Sequence, residues 1–322
     1  MTVNAETYAA HVSNWTKTFA ASAYPYRKNW PTRCFRHEPV ENAAAIINAG
    51  QLLSRRNAAG LIRRDIADAQ VIATQATAHS SVRLYFRPRN PTQFHIEGIK
   101  RDGDFFNNDP RNHAPVLVIF LFSAQEILLT KGVRFSDGNM QHASTTVYST
   151  DAEFSQLPFG GIYHVGPVSD RDIIRQRCAE VLLPSPLPLD DRLQGIVCRS
   201  PAERSTLLHM LTPEARANWA NKVRVFTEPG LFEDRFLYVK SVTLSANRID
   251  VSVKQRNDSA AHKVRIRVSA GQREFYDGTG EGATDWYSAF GEPLAPGTYL
   301  AEVWLDNCLA YQAHLQLDEG PF

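Results

Sequence analysis

A chain of 322 residues is long enough for two domains of ordinary size. Hydrophobic residues make up 43% and charged residues 21%, a balance that excludes a disordered chain, and the net charge is only +1. The longest apolar run, residues 116–123, is far shorter than the roughly 20 residues of a membrane span. The first residues also lack the pattern of a secretory signal, so we expect a cytoplasmic protein with no membrane partner.

The predicted elements of the first part begin with an amphipathic helix over residues 4–21, where large apolar side chains recur at helical spacing. Residues 33–36 are predicted to be extended. A helix follows from about Pro39 and stops at Gly50, which suits a helix C-terminus. Further strands and helices are predicted in the following order: strands at 83–87, 116–122 and 162–165, a charged helix from about 170, strands at 180–183 and 195–199, and a helix over 201–211.

The sequence pattern changes after Pro229. From Phe236 onward most segments alternate apolar and polar residues, and the breaks between them contain Asn, Asp, Gly or Pro. Alternation with this turn spacing is typical of an antiparallel β-sandwich. We therefore place a domain boundary near residue 232, with one domain over 1–231 and an Ig-like sandwich over 232–322.

Cysteine spacing and local charge limit the possible chemistry. Four scattered cysteines form no paired motif, which argues against a zinc site and a disulfide framework. No metal is expected. Residues 1–110 contain 14 Lys/Arg against 9 Asp/Glu, a local net charge of +5, and 11 of the cations are arginines. Because guanidinium groups pair well with phosphates, this favours a polyanionic partner, although a solvated basic face would have the same composition.

Three stretches carry groups suited to chemistry: residues 34–37, 83–91 and 175–183. In the second, two prolines restrict the backbone around Arg87, Arg89 and Asn90, which lowers the entropic cost of binding an anion. In the third, Glu180 stands at the start of an apolar strand. Each stretch also has a plain structural interpretation: a solvent-facing strand end, a packed histidine at His37, or the mere start of a strand.

Four motifs occur in order between residues 33 and 210: His37 ahead of a helix that closes at Gly50 and Leu52, a Tyr-Phe-x-Pro-Arg-x-Pro turn over 85–91, Phe-Ser-Asp-Gly-Asn over 135–139, and Arg-x-Ala-Glu-Val-Leu over 177–182. Together they resemble the DarT family, nucleic-acid ADP-ribosyltransferases of toxin–antitoxin systems. Family members usually have Ser and Met near the second proline, where this chain has Asn90 and Thr92. Residues 94–98 differ too, so the modified base and the choice between DNA and RNA stay open.

The resemblance implies an α+β fold, the split mixed β-core of ADP-ribosyltransferases, with NAD+ as co-substrate and no metal. It implies that Glu180 is the catalytic carboxylate that stabilises positive charge on the nicotinamide ribose. Arg89 is assigned to the catalytic pair as an orienting, phosphate-binding group. The expected contacts to NAD+ come from five residues: Arg36, His37, Tyr85, Arg87 and Asn90.

Nucleic acid is expected to bind beside this pocket. A single strand is favoured, because duplex pairing buries the edges of the bases. The expected contacts come from the loop between Leu53 and Ser81 and from the segment 135–139: Arg55, Arg56, Arg63, Arg64 and Asn139.

The predicted function is transfer of ADP-ribose from NAD+ to a base of single-stranded DNA, as a toxin or anti-phage effector. The alternatives are the same chemistry on mRNA, another RNA or protein, and a non-catalytic nucleotide or nucleic-acid sensor. An antitoxin is the expected partner, with a chaperone as a further candidate. The C-terminal part carries no catalytic motif and is interpreted as a structural or interaction domain that docks a partner through a sheet edge.

Overall fold

The computed structural model describes residues 3–58, 60–65, 78–101, 103–226 and 229–318. Within these ranges no helix has the length and apolar character needed to cross a membrane. The chain begins with helix α1, Ala5–Ala20, as predicted. The Asn4 side chain caps it by accepting a hydrogen bond from the backbone N–H of Thr7 at 2.8 Å, which satisfies one of the free donors of the first turn.

The first 226 residues combine short helices with a large mixed sheet. The helices are α2 Val40–Ala49, α3 Pro91–Ile96, α4 Ala124–Leu128, α5 Asp151–Ser155, α6 Phe159–Ile162, α7 Arg171–Gln176, α8 Pro201–His209 and α9 Pro213–Trp219, with 3-10 turns at Pro25–Thr32, Ala78–Ser80 and Phe106–Asn108. The strands are β1 Arg33–Pro39, β2 Gln51–Leu52, β3 Val82–Tyr85, β4 Leu117–Ser123, β5 Arg134–Ser136, β6 Val147–Tyr148, β7 Glu180–Leu183, β8 Leu187–Pro188, β9 Leu193–Cys198 and β10 Val223–Val225.

The large sheet consists of two halves that meet at one residue pair. Its strand order is β10-β9-β4-β1-β3-β7-β5-β6. β1 pairs with β4 along seven consecutive residues, whereas β1 and β3 pair only at Phe35 and Tyr85. The contact between β1 and β3 therefore has the fewest residue pairs in the sheet. The structure has one mixed sheet of eight strands, where the resemblance implied a split core.

The interior strand β4 explains why the sheet forms around this segment. Its sequence is Leu-Val-Ile-Phe-Leu-Phe-Ser, and every residue up to Phe122 is buried. A continuous apolar run is expected for a strand that is covered on both faces. Strand β1 lies against it in antiparallel register, and α2 follows β1 directly. Gly50 ends α2 with φ of 66°, a left-handed conformation that glycine adopts without strain, as the sequence predicted.

One predicted strand is wrong. Residues 162–165 were expected to be extended, but α6 covers Phe159–Ile162 and the chain continues as a loop. The buried side chains here are Phe159, Ile162 and Tyr163, which recur at helical spacing once Phe159 is included. They pack with α1, since the Tyr163 ring lies 5.4 Å from the Trp15 ring.

The C-terminal part consists of two antiparallel sheets that share one hydrophobic cluster. Its strands are β11 Tyr238–Leu244, β12 Arg248–Lys254, β13 His262–Ala270, β14 Arg273–Gly282, β15 Trp286–Ala289, β16 Gly297–Leu305 and β17 Cys308–Leu317. The sheet orders are β11-β12-β15 and β14-β13-β16-β17. Alternate residues of both sheets enter the cluster, for example Val251 of β12 and Ile266 of β13. The alternation in the sequence therefore predicted this part correctly at the level of antiparallel sheets.

A buried arginine joins the two parts of the chain. Arg199 donates to Glu203 through Nε at 2.9 Å, pairs with Glu97 at 3.4 Å, and stacks its guanidinium 4.4 Å from the centre of the Tyr238 ring. The carboxylate of Glu97 also accepts from the backbone N–H of Glu233 at 2.9 Å. The Arg199, Glu97 and Glu203 side chains are 3% exposed or less, so each charge depends on the others for compensation.

We expect Arg199→Met to lower the free energy of unfolding by about 3–5 kcal/mol, because it leaves two buried carboxylates without their cation. Urea unfolding at neutral pH measures this change. Arg265→Met is the matched control, since Arg265 pairs with Asp277 on the solvent side of β13, and no comparable loss is expected. Equal stability of Arg199→Met and the parent chain would contradict a structural role for this cluster.

Candidate active site

A cavity of about 530 Å³ is lined by residues of both halves of the large sheet. β1 contributes residues 36–38 and β3 contributes Val82, Arg83 and Tyr85. Helices α2, α3 and α7 and the segment 51–65 provide most of the remaining wall. The size lies within the range of small-molecule sites. The cavity therefore lies beside the point where β1 and β3 meet.

Glu180 is connected to this cavity by its contact with Arg83, which lines the wall. It is the first residue of β7 and lies opposite Tyr85 of β3 in antiparallel register. Residues 83 and 85 share one face of β3, so the Arg83 side chain reaches diagonally to the same carboxylate. Arg83 Nε donates to Glu180 Oε2 and Arg83 Nη2 donates to Oε1, each at 2.5 Å. The result is a two-point ion pair in which Glu180 is 1% exposed.

Arg83 stays cationic in this pair. Burial lowers the pKa of Arg83, but the charge of Glu180 and its hydrogen bonds raise it by more, so the pKa lies above the usual arginine value. Burial, with a further contribution from Glu180, raises the pKa of Tyr85 to about 12. The Tyr85 hydroxyl is therefore a neutral group at physiological pH, available as a hydrogen-bond donor.

The predicted segment 135–139 supports Glu180 from the other side. The Ser136 hydroxyl accepts a hydrogen bond from the backbone N–H of Glu180 at 3.0 Å and donates to the Gly138 carbonyl at 2.7 Å. Asp137 pairs with Arg175 of α7 at 2.9 Å. Asn139 lines the cavity. These contacts fix the start of β7, and hence the backbone that carries the carboxylate.

His37 lies on the β1 side of the cavity and stacks on Tyr85, with ring centres 5.1 Å apart and planes 4° apart. Burial, together with the positive charges of Arg36 and Arg83, lowers the pKa of His37 to about 3. The ring is therefore neutral at pH 7. A neutral imidazole offers one donor nitrogen and one acceptor nitrogen, which suits contacts to hydroxyl groups.

Arg36 links the two halves of the sheet. Its Nε donates to Glu38 Oε1 at 2.7 Å, and its Nη1 donates to the Arg83 carbonyl at 3.1 Å across the separation. Burial lowers the pKa of Arg36, and the charge of Glu38 raises it by more. Arg36 therefore stays cationic while it helps to hold β3 beside β1.

Arginines outnumber acidic residues in the lining of the cavity. Among the described residues that line it, the arginines are Arg36, Arg55, Arg64, Arg83, Arg171 and Arg175, against the two acidic residues Glu38 and Asp65. All of these arginines except Arg171 have a carboxylate partner in the described ranges, and three of the partners, Glu41, Asp137 and Glu180, lie outside the lining. The lining with its partners therefore has a small net positive charge, which favours an anionic ligand. Within the described ranges no group of three or more His, Cys, Asp or Glu side chains is arranged to hold a metal ion.

The structure brings most of the predicted site residues together. Those that line the cavity are Arg36, His37, Arg55, Arg64, Tyr85 and Asn139. Arg63 lines a neighbouring groove on the outer side of α2, and Arg56 is exposed. The rest of the predicted nucleic-acid loop, residues 59 and 66–77, lies outside the described residues.

Arg87 and Asn90 do not line the cavity. The Arg87 guanidinium donates to the carbonyls of Pro88 at 2.9 Å, of Arg89 at 3.0 Å and of His164, and it lies 4.9 Å from the centre of the Trp30 ring. Asn90 is fully buried and caps α3 by accepting from the backbone N–H of Gln93 at 2.9 Å. Because their polar groups shape the turn after β3, we assign neither residue to a cofactor.

Arg89 is also directed away from the cavity. Its φ is 50°, a left-handed conformation that is uncommon for a side chain of this size. Its backbone N–H donates to Gln93 Oε1 at 2.8 Å and its guanidinium pairs with Glu233 at 3.2 Å. Arg83, which the sequence analysis did not select, contacts Glu180 instead. The sequence feature that could have identified Arg83 is the two-residue period of β3, which places residue 83 on the same face of the strand as Tyr85.

Known proteins resemble this chain in sequence and in fold. The family model described as "ssDNA thymidine ADP-ribosyltransferase, DarT" matches residues 35–232. Thermus sp. 2.9 DarT in complex with ADP-ribosylated ssDNA is similar at 18% identity, with a TM-score of 0.50, covering 63% of this chain and 96% of that one. The same protein in complex with carba-NAD+ has 18% identity and a TM-score of 0.48, covering 61% and 95%. The first likeness supports the fold. The comparison with curated proteins found no match.

The lowered pKa of His37 predicts a specific pH dependence of stability. Between about pH 6.5 and about pH 3 the unfolded chain binds a proton that the folded His37 does not, so stability falls as the pH falls through this range. We expect the loss between pH 7 and pH 5, measured by urea unfolding, to be smaller in His37→Gln than in the parent chain by up to about 2 kcal/mol.

His142→Gln is the control, because His142 is exposed and its variant should keep the loss of the parent chain. An unchanged loss in His37→Gln would show that His37 is not held neutral by its surroundings.

Proposed function

This chain belongs to the DarT family of ssDNA thymidine ADP-ribosyltransferases, and from that premise we propose that its cavity binds NAD+ and that Glu180 is the catalytic carboxylate. The observation that carries the proposal is the two-point contact between Glu180 and cavity-lining Arg83. NAD+, when bound, supplies the ADP-ribosyl group and loses neutral nicotinamide. The transfer places that group on a thymidine of single-stranded DNA.

The residues of the cavity suit a dinucleotide. Its arginines suit the negative charge of a pyrophosphate, and guanidinium groups bind phosphate oxygens in a planar fork. Neutral His37 and the neutral Tyr85 hydroxyl suit ribose hydroxyls, which both donate and accept. We assign NAD+ contacts to Arg36, His37 and Tyr85. We assign no NAD+ contact to Arg87 or Asn90, in contrast to the expectation from the sequence.

Glu180 contributes a fixed negative charge. Positive charge develops on the nicotinamide ribose in the transition state, and a carboxylate that is already oriented stabilises it without reorganising. Arg83 is a positioning residue here, because its two hydrogen bonds hold the carboxylate in one rotamer. The same carboxylate suits acceptance of a proton from the attacking base nitrogen. Arg89 pairs with Glu233, and we assign it no role in the reaction.

We place the acceptor strand at the open side of the cavity, where Arg55 and Arg64 line the wall. Arg55 pairs with Asp65 at 2.6 Å, and the Arg64 Nε donates to the His113 carbonyl at 3.1 Å. Both guanidinium groups therefore have fixed positions, which suits reading a backbone in one register. The family description specifies single-stranded DNA, so RNA is a second acceptor to be tested and not the first choice.

We further propose that the chain acts as a toxin and that its C-terminal sheets, an Ig-like sandwich, dock a neutralising antitoxin. Leu231 packs in the first hydrophobic cluster and Leu237 in the second, which supports a boundary near residue 232. β15 is an edge of its sheet, and Tyr287 on it is 66% exposed. Exposed edges accept an added strand. A Tyr287→Pro variant that binds the antitoxin as tightly as the parent chain would contradict this docking site.

Purified protein is expected to label a thymidine-containing single-stranded oligonucleotide from radiolabelled NAD+, and Glu180→Gln is expected to lower the rate by about 10²-fold or more. Glutamine keeps the shape of the side chain but removes the charge that stabilises the transition state. Mass spectrometry of the digested nucleosides identifies the modified base, with matched RNA and duplex DNA as parallel acceptors.

Arg89→Gln is the matched control, because it also removes a charge from a partly buried ion pair but lies outside the cavity. It should retain most of the activity. Thermal unfolding of each variant separates loss of the fold from loss of chemistry. Glu180→Gln with a parental rate, or Arg89→Gln with the larger defect, would overturn the assignment.

A further inference from the structure

Exposed apolar side chains are concentrated at the mouth of the cavity. Of the large hydrophobic residues that are exposed in the described ranges, Leu61, Phe106 and Ile174 line the cavity, and Phe94 is the neighbour of cavity-lining His95. Phe94 and Phe106 are each 39% exposed. Apolar surface gathered around the entrance to a site marks a surface that is covered when a ligand binds.

Three aromatic rings form a continuous series on this rim. The ring centres of Phe94 and His95 are 5.6 Å apart with nearly perpendicular planes, and those of His95 and Phe106 are 4.0 Å apart with planes tilted by 35°. Burial, with the positive charges of Lys100 and Arg235, lowers the pKa of His95 to about 4, so the ring is neutral at physiological pH. The series therefore presents flat, uncharged faces.

The backbone holds Phe106 in place. The Asn112 side chain, which is 3% exposed, donates to the Phe106 carbonyl at 3.2 Å. Asn107 and Asn108 follow with φ of 52° and 54°, left-handed conformations that direct the chain away immediately after the ring. On the other side, Lys100 donates to the His95 carbonyl. The backbones of Phe106 and His95 are thus tied to buried groups.

A positive charge accompanies the rings. Arg235 is exposed and lies 4.2 Å from the centre of the Phe94 ring. Within the described ranges it forms no ion pair. Arg171 is also exposed and lines the cavity. Rings accompanied by exposed arginines match an extended polyanion that carries flat bases.

We propose that Phe94, His95 and Phe106 form a stacking platform for the bases adjacent to the thymidine that enters the cavity, with Arg235 contacting a phosphate. This inference rests on the proposed function. It adds the path by which the single strand leaves the site, along α3 and the 3-10 turn Phe106–Asn108. Base stacking on aromatic side chains is tolerant of sequence, so the platform contributes affinity and register more than choice of base.

Fluorescence anisotropy with a labelled oligonucleotide containing one thymidine tests the platform on the full-length protein. Phe106→Ala and Phe94→Ala are each expected to weaken binding about 5- to 100-fold, the range for loss of one stacked base. Phe106→Tyr should retain most of the affinity, because it keeps the ring. Tyr287→Ala removes an exposed aromatic residue from the distant β15 and should leave affinity unchanged.

An abasic scan separates stacking from a structural effect. An abasic site is placed at each position flanking the thymidine, and each oligonucleotide is measured against the parent chain and Phe106→Ala. At one flanking position, the abasic site should weaken binding to the parent chain as much as Phe106→Ala weakens binding to the intact oligonucleotide. Combining the abasic site with Phe106→Ala should cause no further loss of affinity. Such non-additivity identifies direct contact between that base and the ring.

Two results would overturn the platform. In one, the parent chain labels the oligonucleotide, but Phe94→Ala and Phe106→Ala have the same affinity and the same KM for DNA as the parent chain. In the other, the effects of ring removal and abasic sites add at every position. If the variants instead lose binding of an antitoxin while binding DNA normally, the rim is a protein-docking surface. Absence of labelling by the parent chain would refute the proposed function itself.

Discussion

The ion pair between Arg83 and Glu180 is the constraint on which the site depends. Glu180 is buried and Arg83 is partly buried, and charges taken out of water are tolerated only when each compensates the other through well-aligned hydrogen bonds. The pair requires β3 and β7 to be neighbours in one register, since only then does residue 83 reach the carboxylate at the start of β7. Ser136 adds a third contact from β5. The position of the Glu180 carboxylate is therefore set by three strands and not by a loop.

The cavity lies beside the point where the sheet has the fewest paired residues. β1 is fully paired with β4 but contacts β3 at one residue pair, and Arg36 spans the separation to the Arg83 carbonyl. Rigid strands on both sides hold Arg36, His37, Arg83 and Tyr85 at fixed distances before any ligand arrives. Such preorganisation lowers the entropic cost of binding, and it also means that the binding groups need little movement during the reaction.

Sequence patterns predicted the elements whose local signals agree with their packing. The apolar strand at 180–183, the stop at Gly50 and the alternating C-terminal strands are of this kind. Resemblance to a family then supplied the function, and the family match confirms it. The side-chain assignments were less predictable. The two prolines suggested a rigid anion site at residues 87–90, but a rigid turn serves packing equally well, and only tertiary contacts show that Arg87 donates to main-chain carbonyls. Arg83 was missed because its importance depends on a strand almost 100 residues later.

The cluster around Arg199 has a consequence for shortened forms of the chain. Its carboxylate partners lie in the catalytic part, and its aromatic partner, Tyr238, lies in the C-terminal part. Helix α8 also contacts β17, where the backbone N–H of Gln312 donates to the Thr206 hydroxyl at 3.1 Å. A chain that ends before residue 238 would thus keep every residue that lines the cavity, while it loses the aromatic partner of Arg199 and the contact of α8 with β17.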